Sequence, residues 1–296
     1  MVNEVHFIVF LAFTFTAHSA PAYLNIKIHN PVSDTLTLLG YHSPCDVIQG
    51  KVQLASLESE TGEFQFIVEL KTGTEFNLLN GDRLVAFDLF LSPGDSLRLE
   101  YSEGAVSISG RGEDRIDFIM AFNDTFYRVM GKEHANSYKL DSAAFLTRLE
   151  NRYAAQVKYL DAYLRTHTED VLFEKYMRAT INYKYGIDRY QYLWKHNYLS
   201  GRKGSFRPGS DYFRPDPRIP LDNPVAAMSP NYYWFLKTTF QPFGMTNTKP
   251  WIPRQNRNFF HSNTVQSFRS LTACGPGVTK TLPGPYIYTP CWINSD

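Results

Sequence analysis

Thr168 to Tyr198 reads TEDVLFEKYMRATINYKYGIDRYQYLWKHNY. Leu172, Tyr176, Ala179, Tyr183, Ile187, Tyr190 and Trp194 recur in it at steps of three and four. That spacing puts them on one face of an α-helix of about eight turns. Thr168 is the expected N-cap, and Glu169 and Asp170 fall in the first turn, where the helix dipole favours negative charge. Each of these apolar side chains, once covered, stabilises the fold by roughly 1.5–3 kcal/mol. The stretch therefore predicts a large tertiary packing surface, and it carries no chemical signature.

Upstream of it lie two more segments of helical period. Ile116, Ile119, Phe122, Phe126 and Val129 predict a helix from about Glu113 to Met130, and a polar link follows from Gly131 to Lys139. Asp141 or Ser142 can cap the next helix, with Leu146, Leu149, Tyr153, Val157, Leu160 and Leu164 as its apolar stripe. Arg148, Glu150, Arg152, Lys158, Asp161 and Arg165 are expected on its solvated face. Downstream, Ser229 and Pro230 open a short helix carrying Tyr232, Tyr233, Trp234, Phe235 and Leu236.

From Tyr23 to Ile108 the period is two. Leu24, Ile26 and Ile28 alternate with polar residues, as do Leu36 with Leu38, Val52 with Leu54, and Phe64, Phe66, Val68 with Leu70. Val85, Phe87, Leu89 and Leu91 follow, then Leu97, Leu99 and Tyr101, then Val106 and Ile108. Turn signals separate them, among them Asn80-Gly81-Asp82 and Ser92-Pro93-Gly94-Asp95. About seven short strands with one apolar face each predict an antiparallel β-sandwich. The fold class expected is α+β: a sandwich over residues 23–112, an all-helical region over 113–240, and an irregular tail over 241–296.

Val5 to Phe15 is an apolar run of signal-peptide length, with small residues after it, so residues 1–22 are expected to be an export signal. The first residues lack Lys and Arg and carry Glu4, which is unusual for such a signal. From Asn223 to Ser295 there is no Asp or Glu, and neither period persists beyond Phe240. The tail is expected to be out-of-frame translation or a divergent end.

Lys plus Arg is 30 against 29 for Asp plus Glu, so overall charge does not favour nucleic acid. The connection SGRKGSFRPGSDYFRPDPRIPLDNP carries Arg202, Lys203, Arg207, Arg214 and Arg218 among aromatic rings, but Asp211, Asp216 and Asp222 dilute that field. Cys45, Cys274 and Cys291 make no Cys-x-x-Cys pair and no zinc spacing. Cys274 and Cys291 are candidates for a disulfide in an oxidising compartment. His134 and His167 sit near helix ends without a second ligand at i+4, as surface or capping groups do. Asp161 and Asp188 have no partner carboxylate in view. No Gly-x-Ser-x-Gly, P-loop or dinucleotide fingerprint is present. No cofactor, metal site or catalytic residue is expected. Tyr183, Tyr190, Trp194, Tyr233 and Trp234 are the candidate aromatic binding surface.

Several stretches carry a resemblance. They are Phe87 to Leu97 (FDLFLSPGDSL), Ile108 to Gly112 (ISGRG), Ile181 to Tyr185 (INYKY), Ile219 to Asn223 (IPLDN) and Ser229 to Leu236 (SPNYYWFL). With them, residues 23 to about 240 resemble the N-terminal part of TlpA-type thioredoxin-like proteins of Bacteroidetes-like bacteria. The resemblance implies a sandwich and helices placed before a thioredoxin domain with a Trp-Cys-x-x-Cys site, and thiol–disulfide exchange in the periplasm. The chain departs from that pattern at the chemistry. Cys274-Gly275-Pro276-Gly277 ends in glycine where the family's tetrapeptide has its second cysteine, and no pair of thiols is poised for exchange. The expectation is an exported, non-catalytic scaffold, periplasmic or secreted and at most peripheral to the membrane. Its partner would be a protein, either a client or a redox domain. The alternatives left open are a stand-alone envelope protein binding peptide or glycan, and an enzyme whose site is unrecognised.

Overall fold

The computed structural model describes residues 20–40, 51–129, 131–167, 170–200, 209, 212 and 214–240. Residues 1–19, the three cysteines and the tail from 241 lie outside the described residues, and so do the readings that concern them. The class is α+β, with eight strands followed by helices.

The strands are β1 (Ala20–Ile28), β2 (Thr35–Gly40), β3 (Lys51–Ser56), β4 (Glu63–Leu70), β5 (Thr74–Asn80), β6 (Arg83–Leu91), β7 (Ser96–Ser102) and β8 (Ala105–Arg111). They form two four-stranded sheets, of order β4-β1-β7-β8 (sheet one) and β3-β2-β5-β6 (sheet two). All pairs are antiparallel except β1 with β7, which run parallel. Ala22, Leu24 and Ile26 face the same side as Val68, Phe66 and Phe64 because they are register partners, and Leu97 and Leu99 continue that layer. Leu36, Leu38, Phe76, Leu78, Leu89 and Leu91 of sheet two close the same core from the other side.

Four sequence expectations change. The pattern reaches further toward the N-terminus than Tyr23. Ala20 already pairs with Leu70 and Ala22 is fully buried, so β1 takes in residues 20–22. β5 has no counterpart among the expected strands, because Asn77 and the adjacent Leu78-Leu79 break the alternation. In β3 the inward residue is Ala55, so Val52 and Leu54 point outward and are 52% and 66% exposed. In β6 the register shifts by a bulge opposite Phe76 to Leu79, and Asp88 sits at φ 54°. An extra residue re-aims the side chains beyond it. Phe87 turns out to solvent, while Phe90 turns to the helices.

The helices are α1 (Glu113–Asn123), a π-helical turn (Asp124–Val129), α2 (Gly131–Ser137), α3 (Ser142–Leu164), α4 (Val171–Leu199), a 3-10 turn (Pro224–Met228) and α5 (Pro230–Phe240). The single helix expected over 113–130 is thus broken at Asp124, and the expected polar link is mostly helix. Asp141 caps α3 by accepting from Ala144 N at 2.9 Å. Asp170, rather than Thr168, caps α4 by accepting from Phe173 N at 3.3 Å.

Tyr176, Ala179, Tyr183 and Ile187 are buried on α4 as the spacing predicts, while Trp194 is 41% exposed. A second buried stripe was not foreseen: Met177, Ile181, Tyr185, Asp188, Tyr192 and His196. Both stripes are covered because α3 packs on one side of α4 and α5 on the other. The first turns of α4 meet sheet two, where Phe90 stacks on Tyr176 with ring centroids 4.4 Å apart. Arg115 of α1 fastens this junction. It bridges Asp95, in the turn before β7, to Asp170 at the head of α4, the second pair at 2.9 Å.

Gly186 is the point where α5 comes close to α4. A Cβ there would lie 2.8 Å from the Phe235 ring, which is itself buried. Gly186→Val is expected to destabilise the fold by about 1–3 kcal/mol through overpacking, measured by urea unfolding. Gly209→Ala, with nothing within 4 Å of the added carbon, is the silent control.

Candidate functional site

Asp188 is at the middle of α4 and fully buried. Four side chains, three from helices and one from the turn after α2, converge on it. Arg152 of α3 donates from Nη2 to Oδ2, Lys184 lies one turn back with Nζ 3.2 Å from Oδ1, and Tyr138, just after α2, donates to Oδ1 at 3.0 Å. His134 of α2 sits 3.3 Å from Oδ2. Burial opposes ionisation of Asp188, but Lys184, Arg152 and His134 outweigh it and hold the carboxyl well below the usual range. Burial keeps the His134 imidazole below its ordinary value despite Asp188. Lys195, 3.3 Å from the Tyr138 hydroxyl, is pushed down to about 8 by burial.

The helical spacing explains how a charge came inside. Phe145, Leu149, Arg152, Gln156 and Leu160 form the buried stripe of α3, one residue out of phase with the expected one at Tyr153 and Val157. Arg152, assigned by the sequence to the solvated face, is only 7% exposed. His134 is half-buried against Asp188, whose partners are the cations Arg152 and Lys184 rather than a second carboxylate. The periodic signal was present: Tyr185, Asp188 and Tyr192 are three and four apart, which puts the aspartate on an apolar stripe.

A second polar centre lies where sheet two meets the helices. Glu75 of β5 and Asp88 of β6 bear on each other electrostatically. Glu75 Oε2 also accepts from the Tyr176 hydroxyl at 2.6 Å, and Asp88 Oδ2 accepts from Asn123 Nδ2 of α1 at 2.9 Å. The Asp88 backbone N–H donates to Asn77 Oδ1 at 3.1 Å, which secures the bulge. Burial first, then Asp88, raises Glu75 well above the ordinary carboxyl range, and burial raises Asp88 as well. No charge pattern in the sequence announced this pair, since its members lie on different strands and are joined only by the bulge.

The candidate aromatic surface divides. Tyr183 and Tyr233 are buried, and the Tyr183 hydroxyl donates to the Pro220 carbonyl at 2.7 Å. Tyr190 packs edge-on to Phe235 at 5.7 Å, and Trp234 is half-buried with Lys237 Nζ 4.6 Å from its ring centre. Trp194 is the exposed member. Tyr183 and Tyr190 of α4 cannot reach solvent freely once α5, which carries Tyr233 and Trp234, covers that stripe. Cys274 and Cys291 fall outside the described residues.

Two surface features remain. An open groove of about 740 Å³ runs along α3 and is lined by Glu150, Tyr153, Lys158, Asp161, Arg165 and Arg218 among others. Arg218 holds its rim, paired through both terminal nitrogens with Glu150 at 2.8 Å and stacked over Tyr185 at 4.3 Å. The other is the outer face of sheet two away from the helices. Pairing places Leu54, Thr37, Leu79 and Leu84 in one row across its four strands, with Val52 beside Leu39 in the next. Leu54 and Leu84 at the ends of this row are exposed, and Thr37 and Leu79 between them are half-buried, so the row is mostly apolar and partly open.

Among the described residues no group of three or more His, Cys, Asp or Glu could hold a metal ion, and no helix is long and apolar enough to cross a membrane. No family model, curated protein or solved structure matched the chain when these were compared with it.

Asp188→Asn leaves the buried Arg152, with the half-buried Lys184 beside it, against a neutral group. It is expected to cost about 3–5 kcal/mol in urea unfolding, as removal of one partner of a buried pair does. Arg152→Leu combined with Asp188→Leu removes both charges and is expected to cost less than the single change.

Proposed function

We propose that this chain is a non-catalytic interaction module of the cell envelope, the scaffold that holds or presents a thioredoxin-like redox domain. The sequence resemblance of residues 23 to about 240 suggests the class. The row Leu54–Thr37–Leu79–Leu84 on sheet two is the observation that carries it. Outward positions of a one-sided sheet are ordinarily polar, and a contiguous apolar patch marks a contact surface. The buried charges act in the same direction. Asp188 spends its oxygens on Arg152, Lys184 and Tyr138, and the Glu75–Asp88 pair spends its own on Tyr176 and Asn123, so these groups fasten helices to one another and to the sheet.

The test supplies a purified thioredoxin domain of the TlpA type in trans and measures binding by calorimetry. Leu54→Lys with Leu84→Lys, at exposed positions, is expected to change stability by no more than about 0.5 kcal/mol and to weaken binding by about tenfold or more. Absence of binding by the parent chain, or equal binding by the folded double variant, contradicts the proposal. So does reduction of a disulfide substrate by the chain alone that survives Cys274→Ser with Cys291→Ser.

A further inference from the structure

We propose that Lys195 is a nucleophilic amine that takes up small aldehydes as an imine, at the surface side of the Asp188 centre. The charges around it disfavour its proton. Asp188, the acid that bears on Lys195, is already paired with Arg152 of α3 and Lys184 of α4. Two cations against one carboxylate leave the centre positive before Lys195 adds a charge. His134 of α2 adds none at neutral pH, because burial keeps its imidazole below the ordinary range. Tyr138, and Tyr212 beyond it, are phenols that burial holds protonated. Burial first, then Lys184 and Arg152, outweigh Asp188 and push the Lys195 amine down to about 8.

The hydrogen bonds leave the nitrogen lone pair available. The Tyr138 hydroxyl gives its proton to Asp188 Oδ1 at 3.0 Å, so toward Lys195 it accepts. Lys195 Nζ lies 3.3 Å from that oxygen and 4.4 Å from the centre of the Tyr138 ring. The amine thus donates one N–H to the phenol, and a neutral amine keeps its lone pair for an electrophile. Trp194 is its second ring, with its centre 5.8 Å from Nζ, and is 41% exposed, whereas Tyr138 is buried. Lys195 itself is half-buried, next to one ring inside the fold and one at its surface.

These surroundings select the ligand. A half-buried amine flanked by aromatic rings admits a small, uncharged molecule, and an aldehyde reacts with a neutral amine without a second reagent. The amine nitrogen adds to the aldehyde carbon, a C=N bond replaces the C=O bond, and the oxygen leaves as water with both amine hydrogens. A lysine kept neutral by burial and by neighbouring cations is the form that begins this reaction. At about pH 7.5 an amine at about 8 is roughly one-quarter unprotonated, and an ordinary lysine near 10.4 only about a thousandth.

Reductive alkylation of the full chain tests this. Limiting acetaldehyde with cyanoborohydride fixes the imine as an ethylamine, and peptide mass mapping reads each lysine in turn. At about pH 7.5 Lys195 is expected to be alkylated about tenfold or more faster than the exposed Lys71 and Lys158, part of its advantage being lost to burial. Its rate is expected to level off above about pH 8. Lys184→Met removes a neighbouring cation and frees Asp188 toward Lys195, so the levelling-off is expected to move to higher pH. No adduct at Lys195 in the parent chain, or alkylation no faster than at Lys71 and Lys158, overturns the proposal. So does a pH profile that is unchanged in folded Lys184→Met. Should that variant fail to fold, the parent chain alone gives the first two readings.

Discussion

Through its middle turns α4 is buried on two faces at once, and this constraint orders the rest. Three of the four apolar clusters draw on it: Phe173, Tyr176, Met177 and Ile181 against sheet two, α1 and α3, Tyr183 and Ile187 against α5, and Tyr185 and Tyr192 against α3. A helix with apolar residues all round is stable only as the centre of a layer. Its neighbours are placed by that demand. Gly186 lets α5 approach, Asp170 turns α4 out of the α1 junction, and the β6 bulge delivers Phe90 to Tyr176.

The charges inside the layer follow from the same arrangement. With Asp188 on one buried stripe, three cationic or imidazole side chains and a phenol gather round it, and they come from α2, α3, α4 and the turn after α2. Hydrogen bonds have directions that apolar contacts lack, so such a centre fixes the rotation and height of each helix. Arg115 does the same at the junction with the sandwich, linking the turn before β7, α1 and the head of α4. Polar groups thus sit where elements must be registered against each other, and apolar ones where area must be covered.

Much of this was legible in the sequence, for identifiable reasons. Period two over 23–108 and period 3.6 beyond it gave the class, and the inward sets of β1, β4 and β7 stand as expected because nothing interrupts them. β5 escaped because Leu78 and Leu79 are adjacent. Val52 and Leu54 were placed inside because an apolar alternation looks the same whichever face is covered. The aromatic stripe of α4 was visible, but its use was not. Trp194 and Tyr183 share the pattern, and only α5 decides which is buried. Arg152 and Asp188 were hidden by their residue types, since charge is ordinarily read as exposure. The Glu75–Asp88 pair depends on a one-residue bulge, which no local pattern announces.

Native-state hydrogen exchange of the intact chain tests the role of α4 most directly. The amides of residues 176–192 are expected to exchange only with global unfolding, at the same free energy as the slowest amides of β1 and β4. Exchange of that segment through a local opening, well below the global value and with the sandwich still protected, would contradict the account.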